Sequence, residues 1–191
     1  MKILTLCAVV ACLLPCLSRA VPIDIGILTC DSYESDIMNA PPAAQREDAV
    51  DVVMWLFGYA VAKSGAHVMY GEALQQFGNA LDLECKTHAK STLLDAVATV
   101  KLTNINPMDL DALPCATFEA RHADMAQSDP QSANTIMMWL LGYSVGKVGG
   151  HVLDSSKLAV FAAALADRCT QHPDSNLYDA LAAVKLPKPK R

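Results

Sequence analysis

The sequence predicts an all-α protein made of two tandem small helical units, each closed by one disulfide. Three observations carry this: a long internal repeat, four cysteines arranged as one early and one late residue per repeat, and proline-poor apolar segments with helical spacing. No convincing alternation of apolar and polar residues suggests a strand.

The repeat comes first because the rest follows from it. Shifting residues 51–102 by 84 positions places them on 135–186, and 24 of the 52 pairs are identical. Trp55-Leu56-Phe57-Gly58-Tyr59 falls on Trp139-Leu140-Leu141-Gly142-Tyr143, and Lys63, Gly65, His67 and Val68 fall on Lys147, Gly149, His151 and Val152. Leu74, Phe77, Leu81 and Cys85 fall on Leu158, Phe161, Leu165 and Cys169. With a shift of 85, Cys30 falls on Cys115 and Tyr33-Glu34 on Phe118-Glu119. The units read as 25–102 and 113–186, with a turn-rich linker at 103–112 and a basic tail, Pro-Lys-Pro-Lys-Arg, at 187–191.

Each element has a local reason. Ala43 to Lys63 lacks proline and is rich in Ala, Val and Met, and Gly65 ends it. In the second unit Asp129-Pro130 supplies an N-cap and a first-turn proline for a helix reaching Lys147. Leu74, Phe77, Leu81 and Cys85, at spacings of three and four, predict a helix over 71–88, with a partner over 155–171. Ser91 and Ser175 are the expected caps of short final helices.

The cysteines divide by position. Cys7, Cys12 and Cys16 lie within residues 1–20, which read as a signal peptide: Lys2, an apolar run from Ile3 to Leu14, then Ser18-Arg19-Ala20 as a cleavage site. That run is too short to span a bilayer. Four cysteines remain, Cys30, Cys85, Cys115 and Cys169, and an even number in an exported chain points to disulfides. Three pairings exist; Cys30–Cys85 with Cys115–Cys169 is the one that respects the repeat. Closing a loop of that size stabilises a unit by about 4 kcal/mol in the chain-entropy account, a large contribution for a domain with a thin core.

One pattern is unusual. Val52, Val53, Met54, Trp55, Leu56, Phe57 and Tyr59, with Ile136, Met137, Met138, Trp139, Leu140, Leu141 and Tyr143, form segments that are apolar on every side. A surface helix shows one apolar stripe; one apolar all round must be covered on several sides. The cover is the other repeat, another subunit or a bound protein, so these residues are the candidate interface and client surface.

An early Cys with an aromatic three residues on, then Trp-Leu-x-Gly-Tyr-x-x-x-Lys-x-Gly-x-x-Val, a late Cys and a Leu-x-Asp-Ala segment resemble proteins of the HdeA/HdeB type. Both repeats carry the set: Cys30, Tyr33, Trp55 to Val68, Cys85 and Leu93 to Ala96; then Cys115, Phe118, Trp139 to Val152, Cys169 and Leu177 to Ala180. The resemblance implies a periplasmic, ATP-independent chaperone, dimeric at neutral pH and opened by acid. It would hold unfolded periplasmic proteins through exposed apolar helices. The departure is the tandem: a covalently linked pair cannot separate by dilution. Self-association of the whole chain stays open.

Charge agrees with such a switch without singling it out. The net charge is -5 at pH 7, which gives no footprint for nucleic acid. In strong acid the carboxylates are neutral and the five histidines charged, and the resulting positive chain repels itself. No P-loop, dinucleotide fingerprint, Gly-x-Ser-x-Gly or His-Glu-x-x-His occurs, so neither an enzyme nor a cofactor is expected. No Cys-x-x-Cys or close His/Cys pair suggests a metal. His67 and His151 follow the helix-ending glycines, where capping or packing accounts for them and pH sensing is the alternative. His88 and His172 sit near helix ends, where a cation suits the dipole. The rival function is a secreted, non-catalytic interaction or immunity-type module that binds one partner at neutral pH.

Overall fold

The computed structural model describes residues 22–39, 44–66, 68–69, 71–101 and 108–186. The expected leader, the basic tail, residues 103–107 and His67 lie outside the described residues. Within them the chain is helical: α1 (Cys30–Tyr33, continued by π-helical turns over Glu34–Met38), α2 (Ala44–Ser64), α3 (Gly71–Thr87) and α4 (Leu93–Thr99), then α5 (Cys115–Ser128), α6 (Pro130–Lys147), α7 (Leu158–Gln171) and α8 (Leu177–Ala183). Four two-residue strands intervene: β1 (Ile23–Asp24), β2 (Val68–Met69), β3 (Met108–Asp109) and β4 (Val152–Leu153). Two residues are too few to leave a period in the sequence, so these strands were not predictable from patterning.

The helix ends follow local chemistry. The Asp129 side chain accepts from the Ser132 amide at 3.1 Å, with Pro130 opening α6. Gly65 and Gly149 adopt φ of 76° and 75° just after α2 and α6, a left-handed conformation that suits glycine and turns the chain out of the helix. The expected caps at Ser91 and Ser175 are each one residue early. Thr92 Oγ1 accepts from the Asp95 amide and Asn176 Oδ1 from the Asp179 amide, at 3.1 and 2.7 Å. The serines instead offer their carbonyls to the Cys30 and Cys115 amides, at 3.0 and 2.8 Å.

Both disulfides have the pairing that the repeat required. Cys30–Cys85 ties α1 to α3, and Cys115–Cys169 ties α5 to α7, with Cα–Cα separations of 4.9 and 5.0 Å. All four cysteines are buried. The units differ after the first helix: α5 runs on to Ser128, whereas the π-helical turns of the first unit end at Met38.

The two units are joined along a central pair of helices, α2 against α6, around which the shorter helices are arranged. The strands join them a second time, and crosswise. β1 precedes the first unit yet pairs antiparallel with β4 of the second, Ile23 opposite Leu153; β3 precedes the second unit and pairs with β2 of the first, Val68 opposite Asp109. Each of these entry segments is also docked on its own unit. Leu94 donates to Ile25 O and Leu93 to Leu28 O, at 2.9 and 2.7 Å; Tyr178 donates to Leu110 O and Leu177 to Leu113 O, at 3.3 and 2.8 Å. Ile25 and Leu110 are fully buried between. Residues 108–113 therefore work as a strap across both units, a role that their turn-forming composition does not reveal.

Truncating either strap anchor should loosen the joint. Ile25→Ala and Leu110→Ala should each cost about 2–4 kcal/mol in urea unfolding. Ile27→Ala, at a side chain that is 77% exposed, should change stability by less than about 0.5 kcal/mol.

Candidate functional site: the seam between α2 and α6

The apolar segments singled out in the sequence meet each other. Val52, Met54, Trp55, Leu56, Phe57 and Tyr59 of α2 are buried, as are Met137, Met138, Trp139, Leu140, Leu141 and Tyr143 of α6; Val53 and Ile136 are half-buried at the edge. The all-round apolar character has a direct cause. α2 is covered by α6, α3, α4 and the π-helical turns; α6 is covered by α2, α5, α7 and α8. Neither helix has a solvent side over these residues.

Two glycines, which the sequence reading did not single out, set the distance between the helices. A Cβ on Gly58 would overlap the Trp139 carbonyl and lie 2.9 Å from the Tyr143 amide; a Cβ on Gly142 would overlap the Trp55 carbonyl. Gly146 repeats the close approach: a Cβ there would lie 2.9 Å from the Ala62 Cβ. The backbones touch, and only glycine admits this. A signal was available: glycine in mid-helix costs about 1 kcal/mol relative to alanine, yet both repeats carry it between Leu/Phe and Tyr.

Aromatic rings pack around the crossing with the same geometry in both units. Trp55 stacks on Tyr59 and Trp139 on Tyr143, each with centroids 5.5 Å apart and planes 16° apart, and Phe57 meets Trp139 edge-on at 6.2 Å. The seam is not polar-satisfied. Both indole N–H groups, the Tyr143 hydroxyl and the Ser144 hydroxyl are buried without a hydrogen-bond partner. Each such group typically costs about 1–3 kcal/mol. Burial, then the nearby Tyr178 and Asp111, push the Tyr143 phenol well above its ordinary pKa, so it stays neutral. Lys63 and Lys147 lie at the ends of the two helices, their ammoniums over the Tyr59 and Tyr178 rings at 5.7 and 5.2 Å.

The remaining candidates lie away from the seam. The His151 ring faces Asp24 at 3.5 Å and its carbonyl accepts from the Ile25 amide; it does not cap α6. His88 pairs with Glu84 at 3.0 Å, one turn back on α3. His172 follows α7, its amide donating to Arg168 O at 3.0 Å. Among the described residues no group of three His, Cys, Asp or Glu could hold a metal ion, and no helix is long and apolar enough to cross a membrane.

The fold and the seam define a disulfide-stapled, all-helical protein whose apolar α2 and α6 segments are folded inward against each other. Residues 94–179, from α4 into α8, match the model of the HdeA/HdeB family. The family is known for periplasmic acid-stress chaperones and is not a catalytic one; the two disulfides fit an oxidising compartment. The match reaches into the first unit only as far as α4, so kinship of the rest of that unit rests on the internal repeat. No curated protein and no solved structure matches the chain.

Alanine scanning of the glycines should separate spacing from propensity. Gly58→Ala and Gly142→Ala should push the helices apart, lowering stability by about 2 kcal/mol or more and exposing dye-binding surface at neutral pH. Gly78→Ala, in α3 with nothing within 4 Å of the new methyl, should instead stabilise by about 0.5–1 kcal/mol. Leu56→Asp and Leu140→Asp, which bury a charge in the seam, should behave like the first pair.

Proposed function

We propose that this protein is an ATP-independent, acid-activated holdase of the periplasm, and that its client surface is the α2–α6 seam. The observation that carries the reading is the double character of the seam. It is built from helix segments that are apolar on every side, and it is covered by the protein's own second unit. Opening exposes Trp55, Leu56, Phe57, Trp139, Leu140 and Leu141 together. It also returns two indole N–H groups to water, which offsets part of the cost.

We expect opening in strong rather than mild acid, because the units themselves keep their stability through mild acid. Burial and the neighbouring Asp82 raise the Glu34 pKa above its ordinary value, against a smaller opposing pull from Lys86. A carboxyl with a raised folded pKa adds stability as it gains its proton, so the first protons bound at Glu34 favour the folded first unit. The Asp129 carboxylate is held below the ordinary range by the Ser132 hydroxyl and then its amide. Its stabilisation persists through mild acid and is lost only as pH falls through that lowered value. Below it the carboxylates are neutral, the chain is strongly positive, and the units repel each other. The disulfides limit how far each unit can unravel, so opening occurs between units.

Light scattering of an aggregating client tests this. The protein should suppress aggregation at about pH 2.5 and do nothing at about pH 7 or 5. Because both units are in one chain, the opening midpoint should not move when protein concentration changes tenfold. A protein equally protective at neutral pH, or inert in strong acid, is not an acid-activated holdase.

A further inference from the structure

The duplication supplies an internal control, because a side chain that the shared fold requires should keep its character in both units. On α3 and α7 the residues packed on the core do so: Leu74, Phe77, Leu81 and Cys85 match Leu158, Phe161, Leu165 and Cys169. The positions between them do not. Gln75, Gln76, Asn79 and Asp82 of the first unit become Ala159, Val160, Ala163 and Ala166 of the second. Val160 is 58% exposed and Ala163 is exposed as well, so burial does not explain the change. The apolar side chains are contiguous rather than scattered, the pattern of a contact surface.

The change coincides with a cleft. α5 lies beside α7, and a cavity of about 230 Å³ separates them over Met137 of α6, enough for one large apolar side chain. Phe118 and His122 line it from α5, and Ala162, Ala163 and Ala166 from α7. The His122 ring is held in place, stacked on Phe118 at 5.6 Å with its Nε2 3.3 Å from the Ala133 carbonyl oxygen.

Glu119 is the one carboxylate on this lining. Its counterpart Glu34 lies in the field of an ion pair, Lys86 with Asp82, whose charged atoms are 2.7 Å apart. Thr170 and Ala166 stand where Lys86 and Asp82 do. Among the described residues no ion pair to Glu119 replaces the lost cation. The second unit thus keeps the acid, drops its internal cation and gains an apolar cleft beside it.

We propose that the α5–α7 cleft docks an extended segment of another protein, one that presents a large apolar side chain close to a lysine or arginine. The apolar side chain lies between the rings and the alanines, and the cation takes the place at Glu119 that Lys86 takes beside Glu34. Side chains two apart in an extended segment share a face, so the cation belongs two residues from the apolar side chain. Unlike the α2–α6 seam, this surface is accessible in the closed form. Docking therefore needs no opening, and the inference does not rest on the holdase reading.

The test is titration of the full disulfide-bonded chain, isotope-labelled, with the peptide acetyl-Lys-Gly-Phe-Gly-Lys-amide at neutral pH, followed by amide chemical shifts. Perturbations should cluster on α5 and α7. Binding should be about two- to fivefold tighter than for the same peptide with glutamates in place of the lysines, the range of an exposed ion pair. With alanine in place of the phenylalanine it should weaken by about tenfold or more. Glu119→Gln should erase the preference between the two charged peptides. Thr170→Lys and Ala163→Asn, which install the first unit's own residues, should each weaken binding of the lysine peptide, whereas Glu34→Gln should leave it unchanged. Perturbations that cluster elsewhere, equal binding of the two charged peptides, or Glu119→Gln and Thr170→Lys variants that bind like the parent would overturn the proposal. Shifts at α5 and α7 that depend on protein concentration without any peptide would overturn it too, by assigning the cleft to a second copy of this chain. None of these readings involves acid or an aggregating client.

Discussion

The close crossing of α2 and α6 is the constraint from which the rest of the structure follows. Gly58 and Gly142 let each backbone reach the other's tryptophan carbonyl. At that distance the flanking side chains have nowhere to go except around the crossing. Trp55 and Trp139 are therefore fully buried, and their stacking partners Tyr59 and Tyr143 are fixed one turn on. The outer helices then serve mainly to cover the remaining sides of two helices that are apolar all round. A single unit of this size would leave α2 or α6 uncovered on the side that now faces its counterpart. The duplication thus supplies in one chain the cover that such a helix needs.

The two kinds of cross-link act on different scales. The disulfides lie within units, between α1 and α3 and between α5 and α7, and they resist unravelling. The straps lie between units, each anchored at home by one buried aliphatic residue and held abroad by two residues of antiparallel pairing. Short strands and exposed charge pairs are weak interactions individually. Under the proposed function, a structure with covalent staples inside its units and weak ties between them opens along the seam first. The buried indole N–H groups, which no protein group pairs, add to this bias, since opening exposes them to solvent.

Much of this was legible in the sequence, for identifiable reasons. The repeat gave the disulfide pairing, because only one of three pairings maps each unit onto the other. The apolar segments around Trp55 and Trp139 announced a buried seam, because hydrophobicity without a stripe has no surface explanation. What was not legible depended on three-dimensional proximity. Gly58 and Gly142 stand out in the sequence only as a repeated mid-helix glycine; that each faces a backbone carbonyl shows only in three dimensions. Residues 108–112 read as the end of a linker that carries two aspartates, Asp109 and Asp111, and only the burial of Leu110 shows a strap. His151 offered a histidine after a helix stop; its partner Asp24 lies 127 residues away. The caps at Thr92 and Asn176 were missed by one residue, because Ser91 and Ser175 are equally good capping types and which one caps depends on backbone dihedrals.

The central claim is that one surface is core at neutral pH and client surface in acid. Acrylamide quenching of the two tryptophans addresses it most directly, since both are 0% exposed in the closed form and the chain has no others. The account predicts weak quenching at about pH 7 and 5, and near-complete accessibility at about pH 2.5 with the disulfides intact. Adding an unfolded client at the low pH should restore shielding. Tryptophans that stay shielded in strong acid while the protein holds client would contradict it, because the binding surface would then lie somewhere other than the seam.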